Sequence, residues 1–133
     1  MPSPSRAARA WAAAPGLLRE ALEDELGADG FDVYLQAHGP GRTLLPFGLD
    51  AWVTDRKAAV DAALTATCNR LDKTLGGSEE RWTWGQWHPL RLERRDHGAA
   101  ELRIEELQGQ WRLGAHGDRA GRVVAHHGDR RAI

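Results

Sequence analysis

The chain has 133 residues, 41% of them hydrophobic and 28% charged, which suits one globular domain and excludes a wholly disordered chain. Its formal net charge of -1 excludes a uniformly basic nucleic-acid coat. A single cysteine, Cys68, excludes an internal disulfide framework and any zinc site built on several thiolates, and no apolar run approaches the ~20 residues that span a bilayer.

The near-neutral total hides an asymmetry. Residues 1–80 carry 8 basic and 12 acidic side chains, whereas residues 81–133 carry 10 basic and 7 acidic ones. Every base in the second part is arginine, and five of the six histidines lie there. The first part reads as helical and the second as extended.

Met1 to Leu18 holds Arg6 and Arg9 with only a weak Ala-rich stretch, so no secretory apolar block is visible. Pro2, Pro4 and Pro15 predict a flexible leader over residues 1–15, with Ala7–Ala14 as a candidate helix inside it. Leu18, Leu22 and Leu26 recur every four residues and predict a short helix over Gly16–Leu26, stopped by Gly27. Phe31, Val33 and Leu35 alternate with Asp32 and Tyr34; the pattern allows a strand or a helical turn through Ala37 equally. His38-Gly39-Pro40-Gly41 is a loop by composition.

The clearest element follows. Asp55 is placed to cap a helix that runs to Leu75 and stops at Gly76-Gly77. Val60, Leu64, Leu71 and Leu75 form one stripe, with Thr67 and Cys68 filling its gap. Such a stripe needs a surface to cover, and the chain offers one other good helix for the purpose.

Past Gly77 the periodicity drops to two. Arg81-Trp82-Thr83-Trp84 alternates, which places both indoles on one face of an extended segment. Leu90 with Leu92, Leu102 with Ile104, Trp111 with Leu113, and Val123 with Ala125 follow, separated by Gly109, Gly117-Asp118 and Gly121. The expected fold class is α+β: a mainly helical part over residues 16–77, then a short β-meander. Residues 93–133 read as an Arg/Gly/His-rich tail, weakly β or disordered, with little to bury from His116 to Arg131.

Chemistry candidates are few. His116, Asp118, His126 and His127 suggest a metal site, but adjacent strand histidines point apart and no helical i, i+4 pair is present, so a solvated polar tail is the better reading. Cys68 lies on the apolar stripe, where a thiol is an inert packing group. Arg91, Arg94 and Arg95 after the tryptophans invite stacking on single-stranded nucleic acid. Glu93, Asp96, Glu101, Glu105 and Glu106 break up that positive field and disfavour it. Ser3 and Ser5 sit among prolines, Ser78 reads as a cap, and Gly39-Pro40-Gly41-Arg42 lacks the spacing and lysine of a phosphate loop.

Leu71 to His88 reads Leu-Asp-Lys-Thr-Leu-Gly-Gly-Ser-Glu-Glu-Arg-Trp-Thr-Trp-Gly-Gln-Trp-His. It resembles a stretch of the penicillin acylase family, in the large chain of those N-terminal-nucleophile hydrolases. There a helix ends in Leu-Gly, a short linker follows, and then Trp-x-Trp-Gly-x-x-His. Leu75-Gly76, Trp82, Trp84, Gly85 and His88 hold those places here. The resemblance covers about residues 16 to 92 and takes in Leu17, Leu18, Leu22, Tyr34, Leu44, Leu45 and Trp52.

The resemblance implies hydrolysis of linear amides of N-acylated small molecules by an exposed N-terminal serine, on a four-layer α-β-β-α sandwich of which this chain would be a fragment. The residues themselves call for no cofactor and no metal; the resembled family is commonly exported. This sequence has no Gly-Ser-Asn processing site, and its sole asparagine, Asn69, lies within the long helix. No catalytic residue is therefore carried over. Trp82, Trp84, Gly85 and His88 are assigned structural roles: two indoles anchoring the helix end to a sheet, a tight turn at Gly85, and a histidine donating to a buried carbonyl.

Two explanations follow. The preferred one is a truncated or frame-disrupted acylase-like chain, incompetent alone, whose partner would be the missing remainder. The alternative is a small α+β binding module with a Trp/Arg surface for a protein or nucleic-acid partner.

Overall fold

The computed structural model describes residues 6–38, 49–77, 79–85, 88–94, 98–117 and 126–127. Four helices come first: α1 (Arg6–Leu26), α2 (Gly30–His38), α3 (Leu49–Asp55) and α4 (Lys57–Leu75). Five strands follow: β1 (Arg81–Thr83), β2 (Leu90–Arg94), β3 (Gly98–Leu107), β4 (Gln110–Gly117) and β5 (His126–His127). The strands lie in chain order, each antiparallel to the next. This is the α+β class expected, helices first and a meander after.

The first helix begins well before Gly16. Ala10, Trp11, Ala14, Leu18 and Leu22 are all buried at spacings of three and four, so residues 6–15 belong to α1 instead of a leader. Pro15 sits inside the helix with its ring buried. It has no N–H to give the Trp11 carbonyl, which costs about 3 kcal/mol in a helix interior. Full burial of the Trp11 side chain is a compensation of the same order. Gly27, at φ 93°, ends α1 with its amide donating to Glu23 O at 2.8 Å.

Residues 31–37 resolve into helix. In that conformation Phe31, Tyr34 and Leu35 share one buried stripe, and a strand would have separated Tyr34 from the other two. Asp55 is the last residue of α3 and does not cap α4. The N-cap is Arg56, whose side chain makes no capping hydrogen bond. Gly76 closes α4 in the left-handed conformation at φ 64°, donating to Asp72 O and Lys73 O. The predicted stripe of Val60, Leu64, Thr67, Cys68, Leu71 and Leu75 is buried as a set, and α1 is the helix that packs along it. The Thr67 hydroxyl, enclosed in that stripe, donates to Ala63 O at 2.8 Å.

Register fixes the sheet's two faces. Trp82 pairs with Leu92, Leu90 with Leu102, and Ile104 with Leu113. These residues and Ala100 point inward and merge with the helix side chains into a single core cluster. The β3–β4 hairpin turns through Gln108 and Gly109, both at positive φ (53° and 79°), the requirement of a tight two-residue hairpin. Residues 98–117 form the β3–β4 hairpin, the β alternative of the two readings of this stretch. Val123, Ala125, Asp118 and Gly121 lie outside the described residues.

Candidate functional site

The Trp-rich motif sits where α4 hands over to the sheet. The Trp82 amide donates to Asp72 Oδ1 at 2.8 Å, tying β1 to the last turn of α4. The Trp82 indole is 3% exposed and stacks on Trp11, ring centroids 5.2 Å apart and planes 19° from parallel. Trp82 thus joins β1 to the end of α4 and to α1, a buried anchor. Trp84 is not one: β1 ends at Thr83, the pleat that would have carried Trp84 inward stops there, and its side chain is 37% exposed. Trp87 lies outside the described residues.

Gly85 and His88 close the next turn. The Gly85 amide donates to His88 O at 3.1 Å, and the imidazole lies over Gly85. A Cβ at Gly85 would meet ring atoms at 3.5 and 3.6 Å, ordinary contact, so the turn does not demand glycine on steric grounds. The expected hydrogen bond from His88 to a buried carbonyl is not made among the described residues. His88 Nδ1 is buried with no partner among the described residues. Burial pulls the ring's pKa below its ordinary value; Glu101 and Glu93 oppose this, and Arg91 and Arg103 reinforce it.

The outer face of the sheet is the polar counterpart of the core. Alternation places Arg81 and Thr83 of β1, Arg91 and Glu93 of β2, Glu101, Arg103 and Glu105 of β3, and Arg112, Gly114 and His116 of β4 on it. Arg103 Nε donates to Glu101 Oε1 at 2.6 Å. Glu105 takes two partners, Arg112 Nε at 3.1 Å through Oε2 and His116 Nε2 through Oε1. Gly114 makes this possible: a Cβ there would collide with the Glu105 carboxyl group, which lies across the strand between Arg112 and His116.

Each earlier candidate now has a place. Cys68 is buried on the α4 stripe, and burial together with the Asp72 charge pushes its thiol up to about 12, so it is no nucleophile near neutral pH. His116 is engaged by Glu105, and His126 and His127 pair in register with Leu113 and Arg112. No metal-binding group of three is formed among the described residues. Arg91 occupies the outer sheet face, and Arg94 ends β2. Ser3, Ser5, residues 39–42, Ser78, Arg95 and Asp118 lie outside the described residues. Asn69 is exposed on α4. No helix among the described residues is long and apolar enough to cross a membrane.

Two features escaped the sequence reading. Trp11 carried a usable signal, since Ala7, Trp11, Ala14, Leu18 and Leu22 keep helical spacing straight through Pro15. The Glu105–Gly114 fit carried none, because it depends on which strands pair and in what register. No family model, curated protein or solved structure matches the chain.

Proposed function

We propose that this chain is a small, non-enzymatic α+β binding module that engages a protein partner through the outer face of its sheet. The observations that carry this reading are Trp84, exposed just past the end of β1, and the arginines Arg81, Arg91, Arg103 and Arg112 on the outer face. Tryptophan and arginine are the residues on which interface energy concentrates. A protein is the favoured partner over nucleic acid because Arg103 and Arg112 are held by Glu101 and Glu105, and Glu93 stands exposed among them. A phosphate backbone would meet those carboxylates as readily as the arginines.

Photo-crosslinking tests the surface. A benzoylphenylalanine at Trp84 or Glu93 is expected to give the same discrete protein adduct, and one at the exposed Thr65 of α4 is expected to give none. Equal labelling from all three positions, or a shift of single-stranded DNA at low salt that weakens as salt rises, would reject a protein-specific outer face.

A second reading, a scaffold piece of an acylase-like chain, draws support from Trp82. Its amide is tied to the end of α4 and its indole is sunk in the core, which fits a structural role for the motif. Both readings expect no turnover of chromogenic phenylacetyl or long-chain acyl amides by this chain alone. Hydrolysis by the pure protein would reject both.

A further inference from the structure

Gly85 and His88 meet twice in the connection between β1 and β2. The Gly85 amide donates to His88 O at 3.1 Å, and the imidazole covers Gly85, with Cε1 and Nε2 at 3.5 and 3.6 Å from the place a Cβ would take. The ring's other nitrogen, Nδ1, is buried with no partner among the described residues. A neutral ring tolerates this seat, because its one proton can sit on Nε2 and leave only a lone pair unmatched at Nδ1. A protonated ring carries a charge and an Nδ1–H with no acceptor, the costlier of the two to bury.

The ends of the connection are fixed. Trp82 is tied to Asp72 and stacked on Trp11, and Pro89 and Leu90 are buried. The charges that act on the ring come from two strands: Arg91 and Glu93 of β2, and Glu101 and Arg103 of β3. Arg81 is the outward charge of β1. Arg91 and Arg103 oppose a further positive charge in the seat. A ring that leaves the seat gains water and stays in the field of Glu93, which is exposed, and Glu101.

We propose that His88 is an acid-operated latch: neutral, it pins Gly85 and closes the β1–β2 connection; protonated, it parts from Gly85 while the core stays folded. Burial sets the direction, holding the ring neutral until the pH falls below its ordinary 6.5. Trp84 directly precedes Gly85, so the latch governs how the backbone carries that exposed indole. The latch stands whether or not the outer face binds a protein.

The test is an NMR titration of the full chain, labelled with carbon-13 and nitrogen-15, through the range in which histidines change charge. A nuclear Overhauser contact between the His88 Hε1 and Gly85 α-protons is expected near neutral pH, and it is expected to vanish as the ring takes its proton. Over the same interval the Gly85 amide is expected to lose about fivefold of its protection against hydrogen exchange, after correction for the intrinsic effect of pH, the worth of one hydrogen bond. The Trp11–Trp82 ring contacts and the helical circular dichroism are expected to persist, which separates opening from unfolding. His88→Gln, which takes no proton, is expected to abolish the pH dependence at Gly85. His116→Gln is expected to leave it in place.

A Gly85 contact that survives on the charged ring would overturn the latch. So would a loss of protection that persists in His88→Gln, or one that coincides with loss of the helical signal.

Discussion

Trp11 of α1 and Trp82 of β1 lie nearly parallel with centroids 5.2 Å apart, and through them the first helix grips the first strand. The pair joins segments about seventy residues apart in sequence, so it belongs to the tertiary fold and to neither element alone. Each ring is fully or almost fully buried. Replacing either with alanine is expected to cost about 3–5 kcal/mol, as for other buried aromatics. The double mutant is expected to lose less than the sum of the two by about 0.5–1.5 kcal/mol, the worth of a stacked aromatic pair. Urea unfolding of the four proteins in the cycle measures it; strict additivity would mean the rings do not interact.

Gly114 and Glu105 supply a second prediction. A methyl group at position 114 enters the space of the Glu105 carboxyl group, which must swing away from Arg112 and His116. Gly114→Ala is expected to destabilise by no more than about 1 kcal/mol, because the flexible, part-exposed end of Glu105 can swing aside and what it gives up is two part-exposed ion pairs. Combining it with Glu105→Ala is expected to recover much of that loss, because the obstructing group is gone. A double mutant no more stable than Gly114→Ala alone would place the strain elsewhere. Thermal melts at fixed pH give the comparison.

Much of this architecture was readable beforehand. The α4 stripe, its glycine stop, the change of period after Gly77 and the antiparallel meander all follow from local spacing, and local spacing survived folding. Pro15 misled because a proline normally ends a helix, whereas here the buried face of α1 outweighs one lost hydrogen bond. Trp84 misled in the opposite sense: alternation with Trp82 predicted a shared face, but the strand ends at Thr83. The candidate site was legible only as residue types. That Arg91 would lie opposite a glutamate already bound to Arg103 depends on strand register, which no single segment encodes.

The buried thiol has a pH signature. Folding raises the Cys68 pKa from 9.0 to about 12, so between those values the unfolded chain sheds a proton that the native chain keeps. Stability is therefore lost as pH rises above about 9, with a slope of at most about 1.4 kcal/mol per pH unit from this group. Tyr34, also pushed up by burial, contributes in the same direction at higher pH. Subtracting the stability of Cys68→Ala from that of the parent isolates the cysteine term. A difference that stays flat from pH 8.5 to 10.5 would show the thiol to be accessible, as would rapid modification of the native protein by a disulfide reagent at pH 8.

His88 acts at the other end of the scale. Its pKa is lowered on folding, so the unfolded chain binds a proton first as pH falls below about 6.5. The neutral ring's contribution is present above that pH and is lost as pH falls toward the native value. An NMR titration of the ring proton is expected to show a midpoint below 6.5. A midpoint at or above 6.5 in the free protein would mean the ring is solvated and Nδ1 is not an orphan.

Helices and meander share one core, through Trp11, Trp82, Leu92 and the α4 stripe, and so are expected to fold as a unit. Equilibrium urea unfolding followed at once by far-ultraviolet circular dichroism and indole fluorescence tests this directly. One cooperative transition, with the same midpoint and slope from both signals, is the expected result. A helical signal that melts apart from the tryptophan signal, or a broad transition with no native baseline, would contradict it.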